Sequence, residues 1–184
     1  MLFETKRLQL RRFTIDDAPA VLEFSSNEEV IKFTGDKVIS SIDEAKDLIN
    51  GIWLAEYEKY GYARMAVVHK KDKKVIGFSG LKFDTEFNAT DIGYRLLPKY
   101  WGKGLATESA LPFIFYGFTV LKIPKIVGVS FSENKASCKV LENLGLNLVK
   151  QGDLFKDGID CKWYELDRED YQFIAQSKKS KKKR

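Results

Sequence analysis

At 184 residues, with 44% hydrophobic and 31% charged side chains, the chain has the size and balance of one globular domain with a substantial core, which excludes wholesale disorder, a collagen-like repeat and a membrane-embedded chain. No apolar run approaches the ~18 residues of a bilayer span, and charge arrives too soon after Met1 for a signal peptide, so the expectation is a cytoplasmic protein with no membrane partner. The net charge of +5 is uneven: residues 178–184 hold six basic residues and no acid, so the body carries about −1 and offers no basic face of the nucleic-acid-binding kind.

Residues 5–13 alternate apolar and charged side chains with period two, which predicts a half-exposed first strand. Asp16 and Asp17 offer N-caps for a short helix through Ala20, Val21 and Phe24, and another turn or two is expected over 27–33. Ser41-Ile42-Asp43-Glu44 has the form of a capping box. Behind it Ala45, Leu48, Ile49, Ile52, Trp53 and Tyr57 recur on one helical face, and the helix should end by Gly61.

Residues 62–69, 75–83 and 90–97 read as three strands in a row, an antiparallel meander. His69, the one histidine, sits just before a lysine-rich turn, so it reads as a solvated hairpin residue rather than a catalytic one. A buried helix is expected from the glycine-rich turn near 102–104 to Phe118, kinked at Pro112, which lacks the amide that would bond the Glu108 carbonyl. A strand over 126–131, an amphipathic helix over 134–144 closed by Gly145, and two strands over 146–151 and 162–166 complete the chain. This order predicts an α+β (mixed α/β) sheet flanked by helices, in a single domain over 1–176 followed by a disordered basic tail over 177–184. The tail could attract RNA or ribosomes weakly, or merely be solvated. Cys138 and Cys161 are expected as reduced thiols, and two distant cysteines with one histidine predict no metal site.

The chemistry concentrates after the third meander strand. Gly102 and Gly104 before a helix could form an anion-binding turn, because the first helical amides lack internal partners and aligned peptide dipoles favour negative charge there, or the glycines could serve the turn alone. Two familiar nucleotide motifs fail: the Walker Lys-Ser or Lys-Thr pair is missing, and Thr107 occupies the third glycine position of Gly-x-Gly-x-x-Gly.

The string Asp91-Ile92-Gly93-Tyr94-Arg95-Leu96-Leu97-Pro98-Lys99-Tyr100-Trp101-Gly102-Lys103-Gly104-Leu105-Ala106-Thr107-Glu108, with Asn134-x-x-Ser137 and Leu144-Gly145-Leu146 downstream, resembles the GNAT acetyltransferase superfamily. More narrowly, it is similar to the branch containing the ribosomal-protein alanine N-acetyltransferases. The resemblance extends from Thr5 to about Tyr171 and implies a mostly antiparallel central sheet, splayed in the middle. It also implies acetyl-CoA as cosubstrate, its pyrophosphate cradled by backbone amides of Gly102, Lys103, Gly104, Leu105, Ala106 and Thr107. The Lys103 side chain is either an added charge or merely solvated. Trp101 stands where the family commonly has Gln or Arg, a departure typical of this branch.

The resemblance further implies that an amide near Leu96 or Leu97 polarises the thioester carbonyl. Asn134 would hold the cofactor arm or cap its helix. Ser137 would protonate the departing thiolate or simply pack, and many members carry a tyrosine where this chain has Leu141. Asp91 is the candidate general base, with a strand-end carboxylate as its bland reading. Glu108 is expected in a dipole or packing role. The acceptor is a primary amine, either the N-terminus of a ribosomal protein or a polyamine or aminoglycoside. Its pocket would come from 24–34, 42–60 and the last hairpin near 153–160, where acids such as Glu28 and Glu29 could attract a cation. A non-catalytic acyl-CoA- or RNA-binding module is the rival reading, and the chain could be a monomer or homodimer.

Overall fold

The computed structural model describes residues 2–172; the basic tail lies outside them. Eight strands form one sheet: β1 (Leu2–Glu4), β2 (Leu8–Arg11), β3 (Arg64–His69), β4 (Lys74–Asp84), β5 (Ala89–Leu96), β6 (Lys125–Phe131), β7 (Asn147–Asp153) and β8 (Asp160–Asp167). Their order is β1-β2-β3-β4-β5-β6-β8-β7. Every pairing is antiparallel except β5 with β6. The mixed α+β architecture and the meander β3-β4-β5 are as the sequence predicts. One strand is additional: β1 pairs Leu2 with Arg11, so the alternating strand β2 lies inside the sheet rather than at its edge.

Helices α1 (Ala18–Ser25), α2 (Glu28–Ile31), α3 (Ile42–Leu48) and α4 (Ala55–Tyr60) come early in the chain, α5 (Leu105–Thr119) and α6 (Lys135–Leu144) late. Asp17 holds the N-cap position of α1 as expected, but its carboxylate makes no cap bond to that helix; it accepts instead from the amide of Thr14, which caps the preceding 3-10 turn Ile15–Asp17, at 2.9 Å. At α3 Ser41 caps as expected, but the Glu44 carboxylate accepts from the Ser40 amide, one residue further out than a standard capping box. A π-helical segment, Ile49–Leu54, joins α3 to α4. Its wider turn keeps Ala45, Ile49, Trp53 and Tyr57 buried at a spacing of four, while Ile52 rotates out to 46% exposure. Gly61, with φ 75°, ends the rod.

Successive residues of a strand face opposite sides. Phe78 of β4 therefore meets Phe24 of α1 and Trp53 of the π segment, whereas Leu81, on the other face, packs beneath Gly117 of α5. Helix α5 continues through Pro112 to Thr119, and its outer face leaves Leu111 and Phe115 exposed, so it is half-buried rather than fully buried. The position that sets up the site is the middle of the sheet. There β5 and β6 pair only through Thr90 with Ile126 and Asp91 with Val127, then part.

Candidate active site

Ladder bonds alternate along an antiparallel pair. The Leu97 amide donates to the Ile76 carbonyl at 2.9 Å, which fixes the phase of the β4–β5 ladder. Odd-numbered residues of β5 thus spend their backbone groups on β4, and Tyr94 and Leu96 turn theirs toward the gap that β6 has left. Of the two amides expected at the thioester, Leu96 remains available. Leu97 does not: its amide is consumed by the sheet and its side chain is buried away from the cleft. Trp101 explains itself here, since its indole N–H donates to the Leu96 carbonyl at 2.6 Å and pins the strand end to the following turn.

The gap opens at the N-terminus of α5. Gly102 and Gly104 adopt φ values of 69° and 72°, a left-handed backbone that costs other residues about 1–2 kcal/mol. No side chain caps the helix, and a Cβ at Gly102 would meet nothing within 4 Å. The free amides of the first turn therefore point at open space, the arrangement a diphosphate fits. Gly102, Gly104, Leu105, Ala106 and Thr107 all line the cleft; Lys103 does not. The Lys103 ammonium donates instead to the Lys99 carbonyl at 2.7 Å, and its own carbonyl accepts from Arg7 at 2.9 Å. Arg7, which sequence reasoning did not single out, is thereby held against the Gly102–Gly104 turn.

Across the gap, Asn134 caps α6: its Oδ1 accepts from the Ser137 amide at 3.0 Å, leaving the amide nitrogen of the same side chain uncommitted at the cleft wall. Ser137 lies one turn on. The Tyr94 hydroxyl donates to the Ser137 carbonyl at 2.9 Å and lies 3.2 Å from the Ser137 Oγ. Burial pushes the Tyr94 phenol well above its ordinary pKa, so it stays protonated. Leu141 is buried and packs into the space Gly128 leaves, so that position faces the core rather than the cleft. The phenol beside Ser137 comes from β5 instead.

Asp91 lines the cleft but is committed to an ion pair. The Arg64 guanidinium donates to the Asp91 carboxylate, to the Gly80 carbonyl, and at 3.1 Å to the Asp91 carbonyl. A missing side chain at Gly93 makes room for that guanidinium. Glu56 of α4 was missed by sequence reasoning. It shares the cleft wall, its Oε2 is enclosed with no hydrogen-bond partner, and burial raises its pKa against the opposing pull of Lys82 and Arg64. The available signal was an acid continuing the i, i+4 stripe of Leu48 and Ile52, both of which line the same wall.

The whole cleft encloses about 1320 Å³ and runs from the α5 mouth past β5 to Glu29 and Phe33 of the α2 region. Two of the three stretches expected at the acceptor end, 24–34 and 42–60, do line it; the hairpin near 153–160 does not. His69 is not solvated: its side chain is 16% exposed, with Nδ1 3.1 Å from an Asp72 carboxylate oxygen that also accepts from the Tyr100 hydroxyl. Cys138 and Cys161 are buried and unpaired. Among the described residues no cluster of three His, Cys, Asp or Glu side chains could hold a metal ion, and no helix is long and apolar enough to cross a membrane.

A family model described as "Acetyltransferase (GNAT) domain" matches residues 7–147. The N-acetyltransferase YoaA of Bacillus subtilis, itself uncharacterized, is 32% identical over 154 residues, covering 83% of this chain and 85% of its own. Two solved structures share the fold at 21% identity. The ribosomal-protein-S5-alanine acetyltransferase of Vibrio fischeri has a TM-score of 0.77 over 92% of this chain and 98% of its own. The spermidine N-acetyltransferase of Vibrio cholerae, in complex with CoA and spermine, has a TM-score of 0.75 over 91% and 99%. With a family match across most of its length and a curated relative at this level of identity, the chain belongs to the GNAT acetyltransferase family and is an acyltransferase.

Proposed function

We propose that the protein transfers the acetyl group of acetyl-CoA directly to a primary amine, and that the amine is the N-terminus of a ribosomal protein. One observation carries the transfer reading: the backbone groups of Tyr94 and the amide of Leu96 face an open gap that begins at the uncapped N-terminus of α5. Bound there, acetyl-CoA supplies an activated thioester carbon. The amides of Gly102, Gly104, Leu105, Ala106 and Thr107 hold the diphosphate, with Lys103 contributing backbone alone, and Asn134 donates to the arm through its free amide nitrogen. The Leu96 amide stabilises charge growing on the thioester oxygen. Ser137, held by Tyr94, protonates the departing sulfur.

A likeness of fold to a ribosomal-protein acetyltransferase and the branch-like string ending in Glu108 support the protein acceptor. The fold shared with a polyamine acetyltransferase favours a second acceptor, spermidine. Two buried unpaired cysteines fit work in the reducing cytoplasm. The test is thiol release from acetyl-CoA with a panel of alanine-initiated peptides, spermidine and aminoglycosides, the product identified by its added acetyl mass. Peptide-dependent release is expected. Release with spermidine alone transfers the assignment to polyamines, and acetyl-CoA binding without release to any amine sinks the transferase reading for these acceptors.

A further inference from the structure

Attack on a thioester needs a neutral nitrogen, whereas a primary amine at neutral pH is an ammonium ion, so some group must receive its proton. Five carboxylates line the cleft: Glu29, Asp36, Glu56, Asp91 and Glu133. Asp91 is held by Arg64 and Asp36 by Arg95. Glu29 and Glu133 are exposed, so water solvates their charge. Glu56 differs from all four: it projects from α4 into the wall, and one of its oxygens is shut away from both solvent and any donor. An enclosed carboxylate oxygen without a donor is a poorly solvated anion, stabilised by whatever cation or proton the cleft brings to it.

We propose that Glu56 is the group that receives the acceptor's ammonium and takes its proton. This rests on the amine-acetylation reading above. The carboxylate accepts one proton from the ammonium nitrogen, and the freed lone pair forms the bond to the thioester carbon. The carbon–sulfur bond then breaks with its electron pair on sulfur. A second proton from the same nitrogen passes by way of Ser137 to sulfur, and Glu56 returns the first proton to water, so the products are amide, thiol and one proton. Burial suits Glu56 to this role, because a carboxylate with a raised pKa accepts a proton more readily than an ordinary one. The charged and titratable groups facing it are Lys82 on β4, Arg64 on β3 with its partner Asp91 on β5, Tyr57 on α4, and Tyr62 ahead of β3.

The experiment is the pH dependence of kcat/KM for the amine in wild type, E56Q and E56D, alongside calorimetric titration with acetyl-CoA. E56Q is expected to bind acetyl-CoA as wild type does, to lose on the order of 10²-fold or more in kcat/KM, and to lose the acid limb of the profile. E56D should recover part of the rate and keep an acid limb. An E56Q enzyme with wild-type kcat/KM and an unchanged acid limb overturns the proposal. If E56Q does not fold, E56A decides: it also lacks the carboxylate, and a wild-type kcat/KM with an unchanged acid limb in it would overturn the role equally. The two readings separate cleanly, since a wild type that binds acetyl-CoA and acetylates no amine sinks both, whereas turnover that survives E56Q sinks Glu56 alone.

Discussion

Glu108, in the first turn of α5, holds Arg7 from 101 residues away in sequence: its Oε1 accepts from the Arg7 amide at 2.8 Å and its Oε2 from the Arg7 Nε at 2.7 Å. Thr5 adds a third donor at 2.6 Å, and Arg7 reaches on to the Lys103 carbonyl. One carboxylate thus ties the connection between β1 and β2 to the turn that opens the cleft. Because it sits 18% exposed at a helix N-terminus, its charge also complements the α5 dipole.

Replacing Glu108 with Ala strands several part-buried donors and should destabilise the fold by about 1–3 kcal/mol. Although burial alone would raise the Glu108 pKa, the hydrogen bonds from Thr5 and Arg7 outweigh it and lower the pKa. A carboxyl with a lowered folded-state pKa contributes stability above its unfolded pKa and loses it as pH falls through the folded value. The difference in melting temperature between wild type and E108Q should therefore be largest near neutral pH and shrink under acid. A constant difference across that range would reduce Glu108 to a packing role.

The helix mouth makes a second prediction. Gly104→Asp forces a non-glycine residue into a backbone with φ 72° and sets a carboxylate where a diphosphate is to sit. Acetyl-CoA affinity should fall by at least about tenfold, since 1.4 kcal/mol suffices for that. Gly104→Ala separates the causes: it carries the strain without the charge and should lose less. Equal affinity for Gly104→Asp and wild type by calorimetry would place the cofactor elsewhere.

Ser137 and Tyr94 should act as a unit. Ser137→Ala is expected to lower kcat with little change in acetyl-CoA affinity, and Tyr94→Phe to lower kcat by removing the hydroxyl that positions the serine. If one proton route joins them, the double variant should be little worse than the worse single one. Additive losses in steady-state kinetics would mean that the two hydroxyls act separately.

What the sequence revealed follows from how far each signal reaches along the chain. The meander, the helix from Asn134 to Gly145 and the Gly102–Gly104 turn are encoded by neighbours, through period-two alternation, caps and glycines, and all were legible. The Tyr94–Ser137 bond spans 43 residues and the Arg64–Asp91 pair 27; contacts of that kind have no local pattern. The Lys103 side chain reads equally as an added charge or as solvated, and the turn directs it to the Lys99 carbonyl. The resemblance implies an oxyanion donor at Leu96 or Leu97 without choosing between them. Which of two adjacent amides faces the gap depends on ladder phase, and that is set by Ile76 on another strand. Glu56 was missed for a different reason: it continues the i, i+4 stripe of Leu48 and Ile52, but that this stripe faces the cleft is decided by tertiary packing.

Gly93 offers the sharpest structural test. A Cβ there would land on the Arg64 guanidinium, the far end of a flexible side chain that could swing aside. Steric cost alone would then be small, but Arg64 is almost enclosed, and its three acceptors, the Gly80 and Asp91 carbonyls and the Asp91 carboxylate, would be left behind. Gly93→Ala should therefore cost about 3 kcal/mol, the scale of breaking an enclosed ion pair by removing one partner. Arg64→Met, which abandons the same acceptors without crowding Gly93, should cost a similar amount. Adding Gly93→Ala to Arg64→Met should cost little more, because the clash has lost its object. Chemical denaturation of the four proteins measures all three differences; a full extra penalty in the double variant would show that Gly93 is needed for backbone reasons and not to make room for arginine.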